Sequence, residues 1–261
     1  MKPLARFFCL LCAAILSNAA AAACVQKTIA VQGIDRSGYV CTPSVATAGP
    51  VPTVLAFHGR DSNGKSMADA TRIHEAWPEA LVVYLDGLTG NVGPNDPTGS
   101  KPGWQIDPGD LGDRDVAFAD ATLDAAIQYF NADPKRVFAV GHSNGARMVG
   151  ILWSLRPQRF KALAFSAAQA DTLIDTAEPR SVFMGMGLAD DVVPFASQRP
   201  SIQYAATRFG IPCAGSTEAA GITLVRNNNG IELMPYIHSG GHVWPAEQTA
   251  LIVAFFKWQP Q

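Results

Sequence analysis

The stretch VFAVGHSNGARM, residues 137–148, decides how the rest of the chain is read. It opens as an apolar run from Val137 to Val140. It breaks at Gly141-His142-Ser143-Asn144-Gly145, then resumes at Ala146 with helix-like spacing. A buried strand that turns directly into a helix accounts for both halves. At such a junction the serine takes strained backbone angles and its neighbours approach closely, so glycines two residues before and two after relieve the crowding. The hydroxyl then stands at the carboxyl edge of a sheet, beside a helix N-terminus whose N–H groups favour developing negative charge. Ser143 is therefore read as a nucleophile in preference to a simple helix cap. The N–H of Asn144 is the first candidate donor to an oxyanion.

Working outward, the apolar run repeats. VLAFHG (54–59), ALVVYLDG (80–87), ALAFSAA (162–168) and SVFMGMG (181–187) have the same form as RVFAVGHS (136–143). Such runs read as strands buried on both faces, the requirement of a parallel sheet covered by helices. Helical spacing appears over 116–129, 146–155 and 248–258. Near the start, 27–32 and 37–42 read as a hairpin turning across 33–36. Strands alternating with helices predict an α/β fold: a mostly parallel sheet with helices on both faces, forming a single domain over 24–261.

Residues 1–23 read as a targeting segment rather than as fold. Lys2 and Arg6 precede the uncharged run Phe7 to Leu16, and small residues ending in Ala21-Ala22-Ala23 follow. That is the order of a secretory signal peptide, too short for a membrane span of roughly 20 residues. The expectation is a secreted or periplasmic protein whose mature chain starts near Cys24. A lipid anchor on Cys24 is the lesser alternative, since Ala21 stands where lipoprotein signals usually carry Leu or Val. No membrane span is predicted. Lys and Arg number 20 against 22 Asp and Glu, a formal net charge of −2, with neither a basic stripe for nucleic acid nor an acidic tract. Cys24, Cys41 and Cys213 remain after cleavage. A Cys24–Cys41 bridge would staple the first two strands, with Cys41–Cys213 left open as the other pairing. No clustered Cys/His spacing points to a metal.

A serine needs a base, and the base needs an acid to orient it. In a strand–elbow–helix fold the partners follow the nucleophile in the order acid, then histidine. After Ser143 come only His238 and His242. Gly240 and Gly241 let the loop bearing His242 turn toward the site, while His238 ends an apolar stretch and reads as packed. For the acid, Asp190 and Asp191 both lie just past the strand over 181–187. The second oxyanion donor is assigned to the Arg60 N–H in FHGRDSNG, with His58 bracing that loop. Trp104 follows a long turn-rich loop over 88–103 and is assigned to the substrate pocket as a flat apolar wall.

With these pieces the chain resembles the α/β-hydrolases, and within them the secreted polyhydroxybutyrate depolymerase-like and feruloyl esterase-like proteins. The resemblance rests on His58-Gly59, Gly103-Trp104-Gln105, DRDVAFADATLDAA (113–126), GHSNGA (141–146), GLADDVVP (187–194) and GGHVWP (240–245). It implies the register G-x-x-D-x-x-V-P on Gly187, Val193 and Pro194, which selects Asp190 as the acid, and it supports His242 as the base. Two departures stand out. Arg60 replaces the cysteine that often follows His-Gly, and no cysteine between Cys213 and His242 can form the bridge often found there.

The resulting expectation is a monomeric serine esterase with Ser143, Asp190 and His242 as its triad, using no cofactor and no metal. Its substrate would be a feruloyl or acetyl ester of plant polysaccharide, or a polyester. A serine peptidase on the same fold and a noncatalytic binding protein are the competing readings.

Overall fold

Cys24–Val31 (β1) and Ile34–Cys41 (β2) pair antiparallel through a two-residue turn, Gln32-Gly33, with φ of +53° and +78°. Positive φ at both positions suits the right-handed twist of a tight hairpin. The turn is shorter than the 33–36 loop read from the sequence because Arg36 belongs inside. Its guanidinium lies 2.8 Å from Asp115 and 4.2 Å from the Phe118 ring centre. Cys24 and Cys41 are register partners, and a disulfide joins them.

The computed structural model describes residues 24–93, 96–175, 177–211 and 220–259. Residues 1–23, read as a signal peptide, and Cys213 lie outside them. Val51–Phe57 (β3) leads through Gly64–Thr71 (α1) and Ile73–Ala76 (α2) to Leu81–Leu85 (β4). Arg114–Phe130 (α3), Ala132–His142 (β5), Asn144–Leu155 (α4), Ala162–Ser166 (β6), Asp171–Ile174 (α5) and Ser181–Gly187 (β7) follow. Phe195–Gln198 (α6), Pro200–Arg208 (α7), Gly221–Ile222 (β8), Val225–Arg226 (β9), Glu232–His238 (β10) and Gln248–Trp258 (α8) complete the described chain.

The strands form one sheet in the order β1-β2-β4-β3-β5-β6-β7-β10-β8, with β9 also on β10. From β4 through β3, β5, β6 and β7 to β10 every pairing is parallel; only the outer strands run antiparallel. Period-2 alternation divides the core between the two faces. Leu55, Phe57, Val83 and Leu85 pack with α3 and α4, and Val54, Ala56, Val82 and Tyr84 pack with α2 and α8. Both faces are covered, so β3, β4, β6 and β7 are buried at every residue. This is the α/β-hydrolase architecture expected from the sequence. No described helix is long and apolar enough to cross a membrane. The parallel strands aim their carboxyl ends at one edge, where the loops after β3, β4, β5, β7 and β10 meet.

Candidate active site

The elbow between β5 and α4 has the crowding that its sequence implies. Ser143 adopts φ +56° and ψ −123°, a costly conformation for a non-glycine residue that only firm surroundings sustain. Its N–H donates to Ser166 O at 2.8 Å, and its carbonyl accepts from Ala146 and Arg147. A methyl group on Gly141 would stand 2.2 Å from Gly145 O, and one on Gly145 would stand 2.1 Å from Phe57 O. Neither position admits a side chain, because the opposing atoms are backbone of neighbouring elements.

Across the same edge, His242 Nδ1 lies 2.9 Å from Asp190 Oδ2. Asp191 is exposed. The structure therefore brings Asp190, and not its neighbour, to the histidine. Asp190 Oδ1 accepts the N–H groups of Val192 at 3.0 Å and Val193 at 2.8 Å. Burial alone would raise the Asp190 carboxyl. The His242 hydrogen bond and the two backbone N–H groups outweigh it and hold the group below the usual carboxylate range. An ionised acceptor at Nδ1 keeps the proton there and leaves Nε2 as the basic nitrogen. The loop carrying Asp190 is tied to the loop carrying His242: Leu188 N donates to His238 O, and Ala189 N to Gly240 O. Gly187 permits the approach, since a methyl group there would lie 2.5 Å from both Gly240 O and Gly241 O. His238 is buried, and its Nδ1 accepts from Gly240 N at 3.2 Å.

The loop after β3 lies against the elbow, where a methyl group on Gly59 would stand 3.5 Å from Ser143 Cβ. Among the described residues, the backbone N–H groups of Arg60 and Asn144 donate to no protein acceptor. His58 braces this loop as expected. Its Nε2 accepts from Gly87 N at 2.9 Å, so the proton is on Nδ1, 2.6 Å from Gly59 O. Burial depresses its pKa and keeps the ring neutral.

Trp104 does not line the pocket to which the sequence assigned it. The indole is fully buried, 5.1 Å from the Phe57 ring and 5.0 Å from His58, and its Nε1 donates to His58 O at 2.8 Å. It supports the loop after β3 from beneath. The expectation failed because an apolar residue at a loop end serves equally as wall or as floor. The Asn144 side chain, which the sequence reading passed over, ties the two together. Its Oδ1 accepts from Trp104 N at 2.7 Å and its Nδ2 donates to Trp104 O at 3.1 Å.

Ser143 and His242 open onto one cleft of about 660 Å³. Met67, Val193 and Trp244 supply apolar wall; Arg60, Lys101 and Arg147 supply polar wall. Trp244 rather than Trp104 is the tryptophan that lines this cleft. Each cation is paired: Arg60 with Asp96 at 3.4 Å, Lys101 with Asp61 at 3.2 Å, Arg147 with Asp107 at 2.7 Å. His142 also lines the cleft, its ring centre 5.0 Å from that of His242. Its Nδ1 lies 3.2 Å from Ser166 Oγ, which accepts from Gln248 Nε2 at 3.0 Å. Burial first, and proximity to His242 second, lower its pKa to about 4.

An elbow serine, a histidine hydrogen-bonded to a carboxylate and two unpaired N–H groups thus meet at the carboxyl edge of a parallel sheet with the α/β-hydrolase fold. Comparison with known proteins finds similar chains and similar folds. The prolyl oligopeptidase family profile matches residues 108–191, which include the elbow and Asp190. A putative esterase, NocK, of Nocardia uniformis subsp. tsuyamanensis is 27% identical over 233 residues, covering 74% of this chain and 65% of that protein. A probable feruloyl esterase C of Aspergillus clavatus is 29% identical over 143 residues, covering 54% of this chain and 49% of that protein. The chain therefore spans less than two thirds of the length of either relative. Among solved structures, an acetyl xylan esterase from Aspergillus awamori superposes with a TM-score of 0.68 at 14% identity, over 89% of this chain and 99% of that one. This last likeness concerns the fold.

Proposed function

We propose that this protein is an exported serine esterase that hydrolyses carboxylic esters through an acyl-enzyme on Ser143. The observation that carries the reading is the 2.9 Å contact between Asp190 and His242, beside a serine held at φ +56° in the same cleft. Ser143 Oγ attacks the ester carbonyl carbon while His242 Nε2 takes its proton. The Arg60 and Asn144 N–H groups receive the negative oxygen of the tetrahedral intermediate. Collapse breaks the bond to the alcohol oxygen, which leaves with the proton from His242. Water then repeats the sequence: His242 takes its proton, the hydroxide oxygen joins the acyl carbon, and Ser143 leaves reprotonated. The names of both sequence relatives favour esters, and feruloyl or acetyl esters of plant polysaccharide are the proposed substrate class, with polyesters beside them. The match to the prolyl oligopeptidase family supports a second reading, peptide hydrolysis on the same triad. Methyl ferulate, acetylated xylan, a short polyhydroxybutyrate and a panel of peptide anilides, tested side by side, separate the two. Ester turnover without anilide turnover is expected; the reverse would overturn the proposal. Export is tested by intact mass. A mature chain beginning near Cys24 is expected, and retention of residues 1–23 or a diacylglycerol on Cys24 would contradict soluble export.

A further inference from the structure

The acid of the triad has a second side-chain partner. Asp190 Oδ2 receives His242 Nδ1 at 2.9 Å and also Gln198 Nε2 at 2.9 Å. With Val192 and Val193 on Oδ1, four donors surround the carboxylate, about as many as its lone pairs accept. Gln198 closes α6 and is fully buried. The same Nε2 donates to Val193 O. The orientation of its amide follows from these neighbours: two acceptor oxygens face it, so a rotated amide would set oxygen against oxygen. The amide's own Oε1 is buried and has no hydrogen-bond partner among the described residues. An apolar side chain would leave no such oxygen unpaired, so packing alone gives no reason for an amide here. What the amide adds is a donor to Asp190.

We propose that Gln198 is a positioning residue for the catalytic acid, fixing the plane of the Asp190 carboxylate so that Oδ2 meets His242 Nδ1. The proposal rests on the reading of Ser143, His242 and Asp190 as a triad. One consequence follows from removing the donor. The carboxylate can rotate away from His242, which slows proton transfer without touching the substrate cleft. Replacement by glutamate is more telling. A protonated Glu can donate to Asp190 as the amide does, whereas an ionised one sets two carboxylates against each other.

The experiment compares the intact protein with Gln198→Met and Gln198→Glu. Each is titrated with a fluorophosphonate, so that kcat is expressed per labelled site. If wild-type Ser143 takes no label, the triad reading fails and this proposal falls with it. With wild type labelled, Gln198→Met is expected to lose about tenfold or more in kcat with KM within about twofold. Should the Met variant fold poorly, the Glu variant carries an internal comparison: its kcat relative to wild type should rise on going from pH 8 to pH 5.5, as the glutamate becomes a donor. A Met variant with wild-type kcat per labelled site, or a Glu profile parallel to wild type, would overturn the role of Gln198 while leaving the triad intact.

Discussion

Replacing Asp190 by Asn removes one charge and almost no volume, yet the hydrogen bonds around it predict a large loss. All four contacts on Asp190 come from donors: Val192 N and Val193 N on Oδ1, His242 Nδ1 and Gln198 Nε2 on Oδ2. An asparagine must turn its NH₂ toward one of these pairs. Facing Val192 and Val193, it breaks the loop that holds the acid. Facing His242, it sets N–H against N–H, and the ring relieves the conflict by moving its proton to Nε2. The nitrogen that should accept from Ser143 is then occupied. Loss of an orienting acid in this way costs up to about 10⁴ in kcat, or about 5.4 kcal/mol in barrier. Asp191 faces solvent, and Asp191→Asn should stay within about tenfold, about 1.4 kcal/mol. The assay is hydrolysis of p-nitrophenyl acetate with thermal melting on the same samples, so that loss of activity is separated from loss of fold. A folded Asp190→Asn variant within about tenfold of wild type would refute the assignment of the acid, as would the larger loss appearing in Asp191→Asn.

Other perturbations test the surroundings. Trp104→Ala should lower stability by about 3–5 kcal/mol, the range for deleting a buried Trp, and should change KM no more for aromatic esters than for acetate. A selective rise in KM for aromatic esters would return Trp104 to the pocket. Gly145→Ala places a methyl 2.1 Å from Phe57 O and should cost about 1–3 kcal/mol or more. Gly49→Ala, with nothing within 4 Å, should stay within about 0.5 kcal/mol; equal melting temperatures for the two would contradict the elbow geometry. His142, at about 4 against an ordinary 6.5, binds fewer protons folded than unfolded. Stability is therefore full above about pH 6.5 and falls as pH drops toward 4, by up to about 3 kcal/mol. His142→Gln should flatten the fall in urea midpoint between pH 7 and 4.5. His58 and His238, also depressed by burial, keep part of it, and an unchanged slope would show that His142 is not the group responsible.

The parallel core was legible because its strands are covered on both faces and so read as unbroken apolar runs. β7 matches its predicted span, Ser181–Gly187, and α8 matches Gln248–Trp258. The elbow was legible because backbone crowding leaves a mark in sequence, glycine where no Cβ fits. Elements of four residues, such as α2, α5 and α6, show too little periodicity to be read, and Gln198 went unseen with α6. Asn144 was read for its N–H alone, since an amide side chain reveals nothing in sequence of the loop it clamps 40 residues away. Asp190 was separated from Asp191 by resemblance. The physical reason appears only in three dimensions, where Asp190 Oδ1 caps the turn made by Val192 and Val193 while Oδ2 faces His242.

The central claim is that Ser143 is a nucleophile activated by His242. Labelling of the wild type and of Ser143→Ala with a fluorophosphonate, followed by mass analysis of the modified peptide, addresses it most directly. Stoichiometric modification of wild type at Ser143, and none in a folded Ser143→Ala variant whose esterase activity is also abolished, is the predicted result. Undiminished labelling or ester turnover in that variant would contradict it.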